Sequence, residues 1–317
     1  MRIPFSIPPP RPGAFDLVGV GLNSVDLVAV VPSYPASDTK QPLQHFARLP
    51  GGQSATAVHV CARLGWRTRY VGRFGADDLG LLARESLTAD GVDVEGAPVV
   101  PGATNQFAVV IVDARTGERT VLWHRHPGLK MTERDIPQAV VASGRMLTVD
   151  CHETSAATAA ARYARAAGLA TIVDVEKVRP GIADLLQSID ALIAAAGFPT
   201  EYTGYDDLGR ALRALAREFR APLVAVTLGS EGSLALCGDQ EIRTPAFKVD
   251  VVDSTGAGDA FRGGFAAACL RMPGGTIEEV LAYANAVAAL NCRALGARGG
   301  MPTHAEVETL LVGRRAV

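Results

Sequence analysis

The feature that most constrains the fold of this chain is a regular alternation of two kinds of segment, which starts at Ala14. Short runs of β-branched residues have the length of buried strands, and the Ala-, Leu- and Arg-rich stretches between them repeat apolar residues at helical spacing. Strands that alternate with helices are typical of βαβ units around a mostly parallel sheet. The alternation therefore predicts an α/β fold of three layers, in which helices cover both faces of the sheet.

Seven strands and seven helices can be assigned within this alternation. The predicted strands are Asp16–Val20, Thr68–Gly72, Met146–Asp150, Thr171–Asp174, Ala191–Ala194, Leu223–Thr227 and Ser233–Leu236. The predicted helices are Ala55–Leu64, Asp78–Ala89, Ser155–Ala167, Leu208–Glu218, Gly258–Arg271, Ile277–Ala294 and His304–Leu311. Each helix carries an apolar stripe that can pack against one face of the sheet.

Three stretches depart from the alternation, because their composition predicts strands with no helix between them. These stretches are Val25–Val31, Gln41–Arg48 and Asn105–His124, and the last is predicted to be a hairpin that turns at Asp113–Gly117. We interpret them as a small second sheet, which typically acts as a lid that keeps water away from a reacting centre. The alternative is that these strands extend the main sheet.

The predicted domain organisation is one α/β domain at 14–317, with lid strands inserted at about 25–49 and 98–125. The segment 1–13 contains a cluster of prolines and no apolar run, which indicates a flexible lead-in rather than a secretory signal. No internal repeat or linker divides the rest of the chain. We therefore expect one domain whose lid is too small to fold by itself.

The composition excludes several classes of function. The chain has 31 basic and 33 acidic residues, so its net charge of −2 does not favour nucleic acid or an anionic membrane as a partner. No apolar run has the length of a membrane-spanning helix. The five cysteines are far apart and form no C-x-x-C pair, which argues against a disulfide framework or a zinc site. We expect a cytoplasmic protein that binds small molecules.

The segment that carries the most chemical information is Val249–Gly264, in which a β-rich run enters a glycine turn and continues as an Ala-rich helix. The turn Gly256–Gly258 would point backbone N–H groups and a helix N-terminus at one place, an arrangement that binds phosphate. Asp259 follows in the first helical turn, where its carboxylate could accept a proton from an attacking hydroxyl. Taken alone, the same residues could form an ordinary helix start in which Asp259 only complements the helix dipole.

Val249–Gly264 resembles the second signature of the PfkB, or ribokinase-like, family of carbohydrate kinases. Leu49–Trp66, followed by Tyr70–Gly80, is similar to the first signature of that family, and the resemblance covers roughly Asp16–Leu311. It implies a ribokinase-like fold and an ATP-dependent kinase that phosphorylates a hydroxyl, expected to be a primary one, of a small sugar. ATP and Mg²⁺ are the implied cofactors, and K⁺ is a further candidate.

The resemblance also implies roles for individual residues. Asp259 would be the base, and the N–H groups of Gly256, Ala257 and Gly258 would stabilise the transferring phosphoryl group. The implied sugar contacts are Asp26, Gly51, Gly52 and Thr56, the last at a position where many family members have Asn. The implied nucleotide contacts are Thr227, Gly229, Gly232, Gly256, Gly258 and Asn285, and the implied monovalent-cation ligands are Asp253 and Thr255.

Two further candidate substrate contacts, Asp150 and His152, lie at the end of a predicted strand that faces the expected sugar pocket. Asp150 could accept a hydrogen bond from a hydroxyl, and His152 could contact a phosphate or a hydroxyl. A structural role for the histidine is the alternative.

Several segments look more like ketohexokinases and sulfofructose kinases than like ribokinase. They are Asp174–Lys177, Gly117–Leu122 and Pro245–Asp253. Lys40 follows Asp26 by 14 residues, a spacing similar to that in sulfofructose kinases, where a lysine helps to hold the anionic end of the substrate. The resemblance thus implies a ketohexose or an anionic sugar derivative as substrate. A solvated loop lysine is the alternative.

Two other functions stay open. A nucleoside kinase of the same family would surround a base with aromatic side chains, and only 6% of this chain is aromatic. A sensor that uses the same fold without catalysis would not need Asp259. The exposed strand edges of Gln41–Arg48 and Asn105–Val112 would need protection, so we expect a homodimer formed through the lid.

Overall fold

The predicted alternation is present in residues 1–116 and 118–315, which are the residues that the computed structural model describes. The strands are β1 Leu17–Val20, β2 Ser24–Val31, β3 His45–Gly51, β4 Thr68–Val71, β5 Phe74–Gly75, β6 Val99–Val100, β7 Phe107–Asp113, β8 Arg119–His124, β9 Met146–Asp150, β10 Ala170–Val175, β11 Ala191–Ala195, β12 Leu223–Thr227, β13 Ser233–Cys237 and β14 Gln240–Thr244. The helices are α1 Gln53–Arg63, α2 Asp78–Thr88, α3 Gln138–Val141, α4 Thr154–Ala166, α5 Ile182–Leu186, α6 Phe198–Thr203, α7 Leu208–Phe219, α8 Ala257–Arg271, α9 Ile277–Asn291 and α10 His304–Arg315. Gly117, the predicted end of the hairpin turn, lies outside the described residues.

Eight strands form the central sheet, in the order β14-β13-β12-β11-β10-β9-β1-β4. Six neighbouring strands of this sheet are parallel, namely β4, β1, β9, β10, β11 and β12. At the edge next to β12, β13 and β14 are added as antiparallel strands. β14 is absent from the prediction because it is short and mostly polar and exposed. The carboxyl ends of the parallel strands lie at one edge of the sheet, which is where open α/β sheets bind ligands.

Helices cover both faces of this sheet, and strand side chains alternate between two cores. On one face, α1, α2, α8 and α9 pack against side chains such as Met146 and Ile172. On the other face, α4, α5, α6 and α7 pack against Leu147 and Val173, the next residues along the same strands. Because successive strand residues point to opposite faces, each strand contributes to both cores. The predicted three-layer α/β/α arrangement is confirmed.

The strands without intervening helices form a separate sheet, called the lid sheet below, in the order β3-β2-β7-β8. β2 is antiparallel to β3 and parallel to β7, and β7 and β8 form the predicted hairpin. A small apolar cluster of Val28, Ala108 and Val110 holds the sheet together. These strands do not extend the main sheet, so the prediction of a small separate sheet is confirmed.

The N-terminal segment, predicted to be a flexible lead-in, lies against the body of the molecule. The amino group of Met1 is 2.8 Å from the carboxylate of Glu278, and the N–H of Ile3 donates to the carbonyl of Gly275. Ile3 and Phe5 also pack against the core that contains α9. Flexibility of this segment stays a prediction, but the segment does not lie apart from the domain.

Two further observations concern the cysteines and the helices. All five cysteines are free and buried, as expected for small apolar residues. Within residues 1–116 and 118–315, no helix combines the length and the apolar character that are needed to cross a membrane. The cysteines therefore belong to the packing of the cores rather than to a covalent framework.

Candidate active site

Two cavities lie at the carboxyl edge of the central sheet and meet at a common wall. The small cavity, of about 280 Å³, is lined by the ends of β10, β11 and β12 and by the start of α8. The large cavity, of about 820 Å³, lies between the start of α1, the lid sheet and the loops that follow β9 and β10. The residues that line both cavities are Gln53, Glu176, Gly256 and Asp259.

A glycine turn leads into α8 at this common wall. Gly256 has a φ of 71°, and a Cβ atom there would lie 2.6 Å from the backbone of Ala297, so glycine is required. The predicted residues Gly256, Ala257 and Gly258 all line the small cavity. The N–H of Ala257 already donates to the carbonyl of Ser254, at 3.2 Å. The start of α8 can still bind an anion, because the other first N–H groups of a helix have no partner within it.

Asp259 lies in the first turn of α8, on the wall between the two cavities. Burial raises the pKa of its carboxyl from 3.8 to about 6, and the positive charge of Arg262 and the contact with Asp174 oppose this rise. The negative charges of Glu176 and Asp150 raise the pKa further. A carboxyl with this pKa is ionised at neutral pH and is basic enough to accept a proton from a hydroxyl.

Asp26, the predicted sugar contact on β2, lines the large cavity. Burial raises the pKa of its carboxyl to about 6, the nearby charge of Asp253 adds to the rise, and Arg298 and Arg119 oppose it. At neutral pH the side chain is therefore a carboxylate that can accept hydrogen bonds from two hydroxyl groups.

The other walls of the large cavity come from α1 and from the lid sheet. Gly52 caps α1 with a φ of 92°, and a Cβ atom there would lie 2.4 Å from Cα of Asn23, so glycine is required here as well. The lid sheet contributes Val121 and Trp123, and Trp123 is 69% exposed. Gly51, also predicted to contact the sugar, is buried next to this wall. The cavity thus combines carboxylates with an apolar cover.

Arg298 is a residue of the site that the sequence analysis missed. Its guanidinium donates to the carbonyl of Gly51 at 2.8 Å, to Oγ1 of Thr56 at 3.1 Å and to Oγ of Ser86 at 2.9 Å. Burial lowers its pKa to about 10, so it remains charged. Arg298 therefore joins the C-terminal segment to the start of α1. The only feature of the sequence that could have pointed to Arg298 is its position in a glycine-rich segment.

Arg262 is a second residue of the site to which the sequence analysis assigned no role. Its Nη2 lies 2.7 Å from Oδ1 of Asp174, and it donates to the carbonyl of Ile193 at 3.3 Å. The side chains of Arg262 and Asp174 are 4% and 5% exposed. No local pattern could reveal this pair, because Asp174 lies on β10 and Arg262 on α8.

The carboxylate of Asp150, a predicted substrate contact, accepts hydrogen bonds from other groups of the protein. Its Oδ2 accepts from the N–H of Leu22 at 2.6 Å and from Oγ of Ser54 at 2.8 Å, and its Oδ1 accepts from the N–H of His152. Asp150 is 1% exposed, so its carboxylate holds the loop after β1 instead of facing the large cavity. His152 does line that cavity, with Nε2 3.7 Å from Glu176, and burial lowers the pKa of its ring.

Two other predicted substrate contacts point elsewhere. Thr56 is fully buried in α1, where its hydroxyl accepts from Arg298. Lys40 is exposed in the loop between β2 and β3 and is not part of the wall of the large cavity. Thr56 follows Gly52, and Lys40 follows Asp26, at the spacing on which the predictions were based. Spacing in the sequence does not determine where a side chain points.

The residues predicted to contact the nucleotide lie in different places, some in the wall of the small cavity and some in the loops and helices around it. Thr227 lines the small cavity at the end of β12. Gly229 and Gly232 belong to the tight turn between β12 and β13, and a side chain on Gly232 would collide with the carbonyl of Thr244. Asn285 is buried, and its amide donates to Oγ of Ser233 and to a carbonyl one turn earlier. Asn285 therefore supports the adjoining strand.

The predicted monovalent-cation ligands, Asp253 and Thr255, precede the glycine turn. Oδ1 of Asp253 accepts from the N–H of Thr255 and Oδ2 accepts from the N–H of Gly296, both at 2.8 Å. The guanidinium of Arg119, on β8 of the lid sheet, lies 3.8 Å from Asp253. Among the described residues, no group of three or more Asp, Glu, His or Cys side chains could hold a metal ion.

Residues 14–304 match the model of the pfkB family of carbohydrate kinases. The chain belongs to this family. An ATP-dependent ribose-1-phosphate kinase of Halopiger xanaduensis is 30% identical, over 94% of this chain and 98% of that protein. A nucleoside kinase of Methanothermobacter thermautotrophicus is 27% identical, over 92% and 94%.

Solved structures of the pfkB family share the fold. A ribokinase-type protein from Agrobacterium tumefaciens is 26% identical and superimposes with a TM-score of 0.87, over 96% of this chain and all of that one. The ribokinase of Arabidopsis thaliana, solved in complex with ribose and ATP, is 27% identical with a TM-score of 0.80, over 94% and 99%. This pfkB protein is therefore a phosphotransferase that acts on a sugar or a nucleoside.

Proposed function

We propose that this protein transfers the γ-phosphoryl group of ATP to a hydroxyl group of a small sugar. The observation that carries the proposal is that Asp259 and Gly256 line both cavities at their common wall. The small cavity, with its helix N-terminus, suits the phosphates of ATP, and the large cavity suits the sugar. A hydroxyl at the common wall would be next to the base and to the phosphoryl group at the same time.

In the proposed reaction, the carboxylate of Asp259 accepts the proton of the attacking hydroxyl. The start of α8 stabilises the negative charge of the transferring group, with Gly258 contributing its backbone N–H. Asp26 orients the sugar by accepting hydrogen bonds from other hydroxyls. The lid sheet, with Trp123, covers the large cavity and keeps water from competing with the sugar.

Mg²⁺ fits this site only as a partner of the nucleotide. Because the described residues offer no cage of metal-binding side chains, the oxygen ligands would come from phosphate and water. When bound with ATP, Mg²⁺ would neutralise charge on the triphosphate.

A monovalent cation next to Asp253 and Thr255 stays a prediction. Arg119 already places a positive charge beside Asp253, so we expect K⁺ to add little to the rate of the wild-type enzyme. Replacing Arg119 by Gln should make the enzyme more dependent on K⁺. Turnover in KCl and in tetramethylammonium chloride measures this dependence for both proteins.

The identity of the sugar depends on the large cavity. The predicted link to ketohexokinases and sulfofructose kinases has no support from Lys40, which does not line the cavity wall. A nucleoside is a second candidate, because Trp123 on the lid sheet offers an aromatic surface on which a base could stack. Asp259 is intact, so a sensor without catalysis is not proposed.

The experiment that tests the proposed function measures ADP release with a panel of acceptors. The panel contains ribose, ribose 1-phosphate, fructose, 6-deoxy-6-sulfofructose, 2-keto-3-deoxygluconate and adenosine, and the Asp259→Asn variant measures background ATP hydrolysis. We expect turnover with at least one sugar that exceeds this background. Turnover with adenosine alone would favour the nucleoside kinase, and ADP release without any acceptor would contradict a sugar kinase.

We also propose that two copies associate through their lid sheets. β8 is an edge strand of the lid sheet, and Leu122 on β8 is 57% exposed, while Phe46 on the opposite edge is 53% exposed. Light scattering should give the mass of a dimer, and Leu122→Asp should lower that mass. Leu81 on α2 is equally exposed, so Leu81→Asp is the matched control and should leave the dimer intact.

A further inference from the structure

A charged pair lies directly beneath the start of α8. Arg262 follows Gly258 by four residues, so its side chain lies on the same face of the helix and points back toward the N-terminus. Its Nη1 is 2.6 Å from the position that a Cβ atom on Gly258 would take, and its Nη2 is 2.7 Å from Oδ1 of Asp174. Arg262 and Asp174 both line the small cavity.

This location is unfavourable for an arginine in two respects. A positive charge at a helix N-terminus opposes the helix dipole, and a charge that is almost fully buried loses its hydration. The pair is also incompletely hydrogen-bonded: within the described part of the chain, Nε of Arg262 has no partner, and the 2.7 Å contact between Nη2 and Asp174 is an ion pair without hydrogen-bond geometry. Features that cost stability in this way are typical of functional sites.

Asp259 is the group that the pair affects most directly. On α8 itself Asp259 faces Arg262, and from β10 and the loop after it Asp259 faces Asp174 and Glu176. The remaining charged neighbours are Asp150 on β9 and Arg298 in the C-terminal segment. Arg262 thus places a positive charge beside Asp174 and Asp259, and Asp259 is the base of the proposed reaction.

We propose that Arg262 and Asp174 are positioning residues for the phosphoryl transfer. Arg262 keeps the carboxylate of Asp259 ionised and available to the substrate hydroxyl, and Asp174 holds the Arg262 guanidinium under the glycine turn. Neither residue would touch the transferred group. The proposal rests on the proposed function, because it takes Asp259 as the base.

The test is the pH dependence of kcat/KM for the sugar that gives the highest turnover. In the Arg262→Gln variant, Asp259 loses a nearby positive charge, and the acid limb should move up by about one pH unit. The defect should then be about fivefold at pH 6 and nearly absent at pH 8. It should appear in kcat rather than in KM for the sugar. Arg262→Lys keeps the positive charge, so the acid limb of its pH profile should lie at the same pH as in the wild type.

Two further variants distinguish this role from a purely structural one. Arg145→Gln removes another buried arginine that is paired with an aspartate, far from both cavities, and should leave the limb in place. Arg262→Met is a second neutral variant in case Arg262→Gln does not fold. A loss of kcat/KM that is equal at all pH values, or an unmoved limb in the neutral variants, would overturn the proposal.

A measurement without turnover separates this proposal from the proposed function. The titration of Asp259 can be followed by ¹³C NMR of labelled aspartate carboxyls, with Asp259→Asn identifying the signal. The titration midpoint should rise in Arg262→Gln even if no sugar in the panel is phosphorylated, a result that would reject the proposed function alone. An unchanged midpoint would reject the positioning role alone.

Discussion

Two buried pairs of arginine and aspartate lie at opposite edges of the same parallel sheet, and they differ in how completely they are hydrogen-bonded. At the amino edge, Arg145 lies 2.8 Å from Asp16 and also donates to the carbonyl of Pro8, while the second oxygen of Asp16 accepts from the N–H of Arg67. At the carboxyl edge, Nη2 of Arg262 lies 2.7 Å from Oδ1 of Asp174 without hydrogen-bond geometry, and Nε of Arg262 has no partner among the described residues.

The difference separates a structural pair from a functional one. The pair of Arg145 and Asp16 ties the starts of β1 and β9 to neighbouring loops, and each of its bonds stabilises the native backbone. The pair of Arg262 and Asp174 lies at a cavity wall and leaves hydrogen-bonding capacity unused. The hydrogen bonds of the first pair account for it as part of the fold, whereas an incompletely hydrogen-bonded pair at a cavity needs another explanation, which the proposed positioning role supplies.

The largest expected effect tests whether chemistry is confined to the carboxyl edge. Asp259→Asn removes the proposed base, so kcat should fall by about 10²- to 10⁴-fold, while ATP still binds. Asp16→Asn makes the same change of carboxylate to amide at the amino edge and should leave kcat nearly unchanged. Steady-state kinetics and calorimetric titration with ATP measure both quantities. Comparable losses of kcat in the two variants would contradict the hypothesis that only the carboxyl edge takes part in the reaction.

The second expected effect concerns stability. Here a substitution at the amino edge should have the larger effect, whereas for kcat the substitution at the carboxyl edge has the larger effect. Arg145→Gln leaves Asp16 partly buried without its charged partner, which should cost about 2–4 kcal/mol of unfolding free energy. Arg262→Gln should cost less, because burial already raises the pKa of Asp174 well above its usual value and the carboxyl can take up a proton. Urea unfolding at pH 7 gives both values, and a larger cost for Arg262→Gln would contradict the interpretation.

The elements of both edges could be predicted from the sequence with little error. Met146–Asp150 and Leu223–Thr227 were predicted with the bounds that the structure has, because short apolar runs between helices leave few alternatives. The start of α8 was predictable for a local reason, since a glycine turn and an Ala-rich helix follow each other in the chain. The lid strand β3 was misplaced by several residues, because its exposed residues give a weak pattern.

The side chains of the site were less predictable, because their roles depend on partners from distant segments. Asp150 was predicted to be a sugar contact from its place at the end of β9, yet its carboxylate accepts hydrogen bonds from Leu22 and Ser54. The role of Arg262 depends on Asp174, which lies beside it only in the folded chain. Sequence spacing shows which residues share an edge of the sheet, but only the folded chain shows which of them face each other and which face a cavity.

The smallest expected effect links the ionisation of Asp259 to the stability of the fold. Its pKa is about 6 in the folded protein and near 3.8 in an unfolded chain, so the folded state holds this proton more tightly. The resulting stabilisation is complete below about pH 4 and is lost as the pH rises through 6. The amide in the Asp259→Asn variant does not ionise and avoids that loss. The variant should therefore gain about 1–2 kcal/mol of unfolding free energy relative to wild type between pH 4.5 and 7.5.

Urea unfolding at these two pH values measures the gain, and Asp16→Asn again serves as the control from the amino edge. Asp16 is held by hydrogen bonds from Arg145 and Arg67, so its replacement should cost stability at pH 7.5. A gain for Asp259→Asn that is the same at both pH values would mean that the amide merely packs better. A gain in unfolding free energy that appears only at pH 7.5 would show that the ionised carboxylate of Asp259 destabilises the folded protein. The carboxylate at the carboxyl edge would then cost stability, whereas the carboxylate of Asp16 at the amino edge contributes to it.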